Sequence, residues 1–240
     1  MIEPIQGDAG IVPAHPIFLK KLYERCKKEG ILFIAEEVQQ GFFRAGHWFS
    51  IENYPGIIPD GIIMGKSIGG GLTLGAFMGR ADMMDTLPAP AHLFTLGGNA
   101  IACAAGGAAF DIYRSEEFQM QYRKLHADDR GMKMLQDKHP HTAGRFHGRG
   151  LSYGMDVVRS DDQGNREPDD KGAFKIVFRA YEKGLIIITI GGHVLRIQPP
   201  LNISSRHMRE AFQILDDAFT EMEEGRIPDG YSSTSMAGDF

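Results

Sequence analysis

The sequence predicts an α/β fold, part of a larger domain built on a mostly parallel sheet, followed by a small α+β domain towards its carboxyl end. Three observations carry this. The apolar runs at 31–35 and 61–64 are short and stop at polar or glycine residues, as strands buried on both faces do. An amphipathic stretch at 16–29 precedes the first run, giving helix-then-strand order. From about residue 111 the texture changes to charged amphipathic helix, and then to a β pair around Gly191-Gly192. The expected division is therefore 1–110, 111–227 and a flexible tail at 228–240.

Each element has a local reason. Phe18, Leu19, Leu22 and Tyr23 alternate with lysines and glutamates at helical period, and Gly30 ends the helix. The strand at 31–35 runs into Glu36-Glu37-Val38-Gln39. Residues 42–59 are irregular, and their aromatic group, Phe42, Phe43, Trp48, Phe49 and Tyr54, reads as packing. A strand at 61–64 ends in Gly65-Lys66 and a glycine triplet at 69–71, and a further strand follows at 74–78. Leu87-Pro88-Ala89-Pro90-Ala91 is a rigid connection that excludes regular helix. Asn99 caps a small-residue helix at 100–113. A charged helix at 116–138 breaks at His139-Pro140. A strand at 151–158, a polar turn at 159–170 and a helix at 172–183 come next. The β pair at 185–189 and 194–197 stops at Pro199-Pro200, and Ser204 or Ser205 caps a last helix reaching about residue 223.

The 240 residues carry a formal charge of −5, which offers no basic field to nucleic acid. No apolar run approaches the roughly 18–20 residues that a membrane span requires. Only Cys26 and Cys103 occur, without metal-ligand spacing, and no secretory segment is recognisable. A cytoplasmic protein binding no metal, nucleic acid or membrane is expected.

The chemistry centres on Lys66. An amine at the end of a buried strand is partly desolvated, which favours the neutral form and frees its lone pair for attack on a carbonyl. Glu36 closes the neighbouring apolar run. Ligands of open α/β sheets sit at the carboxyl ends of parallel strands, so amine and acid are expected to face one crevice. A solvated loop lysine is the plainer alternative for Lys66 taken alone.

The run Glu36-Glu37-Val38-Gln39-Gln40-Gly41-Phe42-Phe43-Arg44-Ala45-Gly46, with Gly65-Lys66 following at the right distance, resembles the class III (omega-type) aminotransferases. Their pattern is Asp-Glu-Val-Gln-x-Gly-x-x-Arg-x-Gly and a later Gly-Lys. The resemblance implies the pyridoxal-phosphate transferase fold of type I and pyridoxal 5′-phosphate as cofactor. It implies that Lys66 forms the imine with the cofactor and shuttles the substrate α-proton. Glu36, where the family has aspartate, would pair with the pyridine nitrogen, with Glu37 the alternative. Val38 would pack on the ring, Gln39 would bond to the phenolic oxygen, and Thr95 would bind the phosphate of a neighbouring subunit, which makes the expected state a homodimer or higher oligomer. Arg196, in Val194-Leu195-Arg196-Ile197-Gln198-Pro199-Pro200, would clamp the substrate carboxylate through its bidentate fork. Glu3-Pro4-Ile5-Gln6-Gly7-Asp8-Ala9-Gly10 resembles a segment that lies past roughly the first half of full-length relatives, so a preceding half with the main phosphate site is expected to be missing. Its Asp8 would pair with Arg196 when no substrate carboxylate is bound.

Three readings follow. The leading one is an aminotransferase acting between an amino acid or omega-amino acid and a 2-oxo acid. The second is a racemase or 2-epimerase of branched-chain amino acids such as isoleucine, which needs a second acid beyond Lys66, with Asp8 the candidate. Resemblance of 89–95, 187–189 and 195–201 to the isoleucine 2-epimerase branch supports it. The third is an inactive fragment, or a subunit completed by another chain.

Overall fold

The computed structural model describes residues 1–125, 129–161 and 164–229. They divide into two compact units: Met1–Gly7 with Pro13–Arg123, and Asp8–Val12 with the chain from Lys124 onward.

In the first unit, β1 (Ile5–Gln6) pairs with β2 (Val12–Pro13) where the chain crosses between units. The helix α1 (Pro16–Lys28) starts on a proline whose missing N–H would be unsatisfied in any case. Its last turn carries Arg25, Lys27 and Lys28, suited to the negative end of the helix dipole. Next come β3 (Ile34–Glu36), β4 (Gly61–Met64) and β5 (Ala76–Gly79). β3 and β4 are parallel, Ile2 adds a parallel bridge to Ala35, and β5 returns antiparallel to β4. Leu19, Phe33, Ala35, Ile51 and Ile62 form the core. Buried Asp60, at the head of β4, accepts from Phe33 N (2.8 Å), Lys27 Nζ (2.7 Å) and Arg80 Nη1 (2.5 Å), tying helix to sheet.

Two expected strands shift. Ile31 N donates back to the Cys26 carbonyl at 2.8 Å, so 31–33 belong to the turn leaving α1, and Ile31 and Leu32 are exposed. The strand expected at 74–78 begins at Ala76, because the turn through Gly70-Gly71 is followed by irregular chain up to Gly75. A short helix, α2 (Ala81–Met84), follows β5, and α3 (Ala100–Arg114) is capped by Asn99, whose side-chain oxygen accepts from Ile101 N and Ala102 N. The aromatic group is indeed packing: Phe42 and Phe43 are buried against Trp48, Phe49, Tyr113 and Phe118. The charged stretch expected as one helix forms α4 (Glu116–Leu125) and α5 (Arg130–Lys138), and 126–128 lie outside the described residues.

The second unit contains α5, β6 (Ala143–Arg149), β7 (Ser152–Ser160), β8 (Arg166–Pro168), α6 (Asp170–Glu182), β9 (Ile188–Ile190), β10 (Val194–Ile197) and α7 (Ser205–Glu223). The strands run antiparallel in the order β6-β7-β10-β9, with β8 also on β7. Met155, Val157 and Leu195 face a core completed by Ala173, Ile176, Leu215 and Phe219 of α6 and α7. His139 stacks on Phe219 and places its two ring nitrogens 2.9 Å from Glu223 and 3.0 Å from Asp216, fastening α7 to the end of α5. Ser204 provides the cap of α7, accepting from His207 N. The sequence reading lacked β6, whose glycines 144 and 148 and register shift between Ala143 and Phe146 hide its alternation. β9 starts later than expected because Leu185 N bonds back to Ala180 O. The tail expected at 228–240 lies, from residue 230, outside the described residues. Among the described residues no helix is long and apolar enough to cross a membrane.

Candidate active site

The first unit brings the amine and the acid to adjacent strand ends. Glu36 is the last residue of β3 and stands opposite Ile63 of β4, which leads within three residues to Lys66. Val38 crosses to the second strand: a Cβ on Gly65 would lie 3.0 Å from its Cγ1. Lys66 opens a tight 3-10 turn (Lys66–Gly69) with φ of 47°, the left-handed region that costs an L-residue roughly 1–2 kcal/mol.

The small residues of α3 hold that turn. A Cβ on Gly106 would lie 2.8 Å from the Ile68 carbonyl oxygen, and one on Gly70 (φ 58°) would lie 2.8 Å from that of Ala105. Tyr113 Oη donates to the Ser67 carbonyl at 3.2 Å. The run of alanines and glycines in α3 therefore lets a helix reach the backbone beside Lys66. The expectation of a desolvated Lys66 is corrected: the residue is exposed, in a turn that leaves the end of β4.

The two glutamates separate. Glu37 is fully buried and accepts from Ser50 N and Ile51 N at 2.8 Å each, bracing the start of the 3-10 turn Ser50–Asn53. Burial pushes its carboxyl up to about 7, with the Glu36 charge acting the same way, against the lowering effect of those bonds. Glu36 is half-buried and accepts from Val38 N at 2.7 Å. Gln39 Oε1 accepts from Gln40 Nε2 at 3.3 Å. Thr95 stands apart, in the exposed turn before α3, with Leu93, Phe94 and Leu96 exposed around it.

In the second unit the sheet face opposite the core is polar. His147, Gly154 and Arg196 are register partners across β6, β7 and β10. Arg196 Nε donates to Gln198 Oε1 at 2.5 Å, and Gln198 Nε2 donates to Ser152 Oγ at 2.6 Å, so the guanidinium is oriented from one side. Its Nη1 lies 3.9 Å from Asp8 Oδ1, whose side chain is 85% exposed. His147 Nδ1 lies 3.0 Å from the Ile11 carbonyl oxygen and Nε2 lies 3.2 Å from Asp156 Oδ1. The sequence reading missed His147, Asp156, Ser152 and Gln198. The two-residue spacing of Ser152, Gly154 and Asp156 against Tyr153, Met155 and Val157 was the available signal.

The sequence matches the aminotransferase class-III profile over residues 1–219. The chain belongs to the class-III aminotransferase family. It is 39% identical over 231 residues to the isoleucine 2-epimerase of Lentilactobacillus buchneri, covering 95% of this chain and 50% of that one. To the acetylornithine aminotransferase of Caldanaerobacter subterraneus subsp. tengcongensis it is 37% identical over 223 residues, covering 92% of this chain and 53% of the relative. The solved ornithine aminotransferase of Toxoplasma gondii, with pyridoxal phosphate at partial occupancy in its active site, superposes with a TM-score of 0.80 at 29% identity, covering 94% of this chain and 51% of that one. The fold is thus that of the type I pyridoxal-phosphate enzymes, and the chain spans about half the length of the relatives it matches.

Proposed function

We propose that these residues belong to a pyridoxal-phosphate-dependent aminotransferase that moves an amino group between an amino acid, α or ω, and a 2-oxo acid. The observation that carries this reading is Gly65-Lys66 beyond the carboxyl end of β4, beside a parallel strand ending in Glu36, with Val38 against Gly65. The donor set fits the cofactor: a primary amine for its carbonyl, a carboxylate for its ring nitrogen, an amide for its phenolic oxygen and a hydroxyl for its phosphate. When bound, pyridoxal phosphate supplies an electron sink for the bond broken at the substrate α-carbon.

In this reading Lys66 Nζ would hold the cofactor through its carbonyl carbon and would carry the substrate α-proton. Glu36, steadied by Val38 N, would keep the pyridine nitrogen protonated, and Glu37 braces the start of the 3-10 turn Ser50–Asn53. Val38 supports the ring and Gln39 its phenolic oxygen. Arg196 pairs with the substrate carboxylate, its Nε fixed by Gln198. Thr95 serves the phosphate of a neighbouring subunit in a cytoplasmic homodimer or larger oligomer, and the exposed Leu93, Phe94 and Leu96 support that assembly. The division into a large domain at 1–110 and a small one at 111–227 is kept in this reading as a proposal, although by compactness 111–123 group with the first unit and Asp8–Val12 with the second.

A racemase or 2-epimerase of branched-chain amino acids is the second reading, favoured by the placement of Asp8 3.9 Å from Arg196 and by the likeness to an isoleucine 2-epimerase. Incubation with L-isoleucine, pyridoxal phosphate and a 2-oxo acid decides between them. Stoichiometric new 2-oxo acid supports the aminotransferase. The 2-epimer without 2-oxo acid supports the epimerase, and Asp8→Asn should then abolish it.

A further inference from the structure

The loop that carries Asp8 is closed at its base by the β1-β2 pair, and its tip is held from outside. Ile11 is buried at φ 61°, a conformation that a β-branched residue adopts only under outside restraint, and Gly10 sits at φ 114°. The restraint comes from the polar face of the β6-β7-β10 sheet. Gly154 leaves room for the loop backbone: a Cβ there would stand 2.3 Å from the Gly10 carbonyl oxygen and 2.9 Å from the His147 ring. His147 grips the next carbonyl, that of Ile11, from one side of Gly154, while Arg196 faces Asp8 from the other.

The grip depends on protonation. The Ile11 carbonyl only accepts, so Nδ1 carries a proton, and the second nitrogen faces the Asp156 carboxylate, another acceptor. Only the doubly protonated ring satisfies both. The hydrogen bond to Asp156 raises the His147 pKa, burial opposes it, the Ile11 carbonyl and the Asp156 charge add to it, and Arg145 on the same strand subtracts. Other charged groups on this face include Asp8 of the loop, Arg196 of β10 and Arg149 of β6, the register partner of Ser152.

We propose that His147 is a positioning residue for carboxylate binding, holding the Asp8–Val12 loop so that Asp8 faces Arg196 across 3.9 Å instead of closing on it. A direct charge-assisted pair would sit at about 2.7–2.9 Å and occupy the guanidinium fork. Releasing the loop lets Asp8 close that distance and compete with an incoming carboxylate. The inference rests on the reading of Arg196 as the carboxylate clamp.

Amide hydrogen exchange of the 8–12 segment, followed by mass spectrometry on the full-length protein and corrected for intrinsic rates, tests the grip without cofactor or substrate. In the wild type, protection should be full below the ordinary histidine range and lost as pH rises through the raised pKa of His147. His147→Ala should exchange about tenfold faster in this segment at low pH, as loss of a charged hydrogen bond implies. His147→Arg, which can donate to both acceptors at every pH, should restore protection and abolish its pH dependence. In turnover, His147→Ala should raise KM for the carboxylate substrate far more than it lowers kcat, and His147→Arg should rescue KM. Equal exchange in wild type and His147→Ala, no rescue by arginine, or parallel loosening of α6 and α7 would overturn the grip. Altered exchange with unchanged KM would overturn the role in carboxylate binding, and would leave the wider functional reading to the product assay.

Discussion

At the scale of the residue, the assignments of Lys66 and the paired glutamates can be tested separately. Borohydride reduction after addition of pyridoxal phosphate should label Lys66 in the wild type and nothing in Lys66→Ala, read by peptide mass. A label on another lysine in the wild type would sink the assignment. Glu36→Gln should retain the label and lose turnover, since attachment through the carbonyl does not need a protonated pyridine. Glu37 should behave differently. Its carboxyl is raised from 4.5 to about 7 by burial, so between those pH values the folded chain binds more protons than the unfolded one. The stability it contributes is full below pH 4.5 and is lost as pH rises through 7. Glu37→Gln cannot ionise and, with one oxygen where the carboxylate has two, keeps an acceptor for only one of the Ser50 and Ile51 amides at every pH. It should therefore gain on the wild type in urea melts as pH rises from 4.5 to 7, and parallel melts would refute the assignment.

At the scale of the element, α3 is the support of the Lys66 turn. Its Gly106 lies within a Cβ's reach of the Ile68 carbonyl and the Leu74 side chain. Gly106→Val should cost about 1–3 kcal/mol by overpacking. It should also slow attachment of pyridoxal phosphate to Lys66, because the added bulk pushes on the turn that sets the lysine. A variant that is destabilised yet labelled at the wild-type rate would mean that α3 packs without positioning. The helix itself was legible in sequence, from Asn99 and the small-residue run. Its task was not, since composition permits close approach without saying to what.

At the scale of the whole molecule, exposed apolar residues set the expectation. Phe94 is 69% exposed, Leu96 is 83% and Ile101 is 72%, a concentration of apolar surface beside Thr95. Apolar area of that kind favours burial at about 25 cal/mol per Å². Light scattering should find the protein self-associated, and Phe94→Ser with Leu96→Ser should shift it towards monomer and weaken retention of pyridoxal phosphate. An unchanged association state would remove the support for Thr95 acting across a subunit boundary.

What the sequence determined by itself was local: the period of α1, the cap Asn99 and the Ser204-Ser205 pair from which the structure takes Ser204, the strand that stops at Gly65-Lys66, and the ordered motif from Glu36 to Gly46. Spacing and capping act over a few residues, so they can be read along the chain. Tertiary structure decided the rest. It turned Glu37 towards Ser50 and Ile51, leaving Glu36 at the strand end, and set Lys66, exposed, in a left-handed conformation. It paired β6, where glycines and a register shift erase the alternation, and so placed His147 against a carbonyl 136 residues earlier in the chain. Such a contact leaves no local periodicity, because it is fixed by which strands pair and how closely Gly154 lets a loop approach.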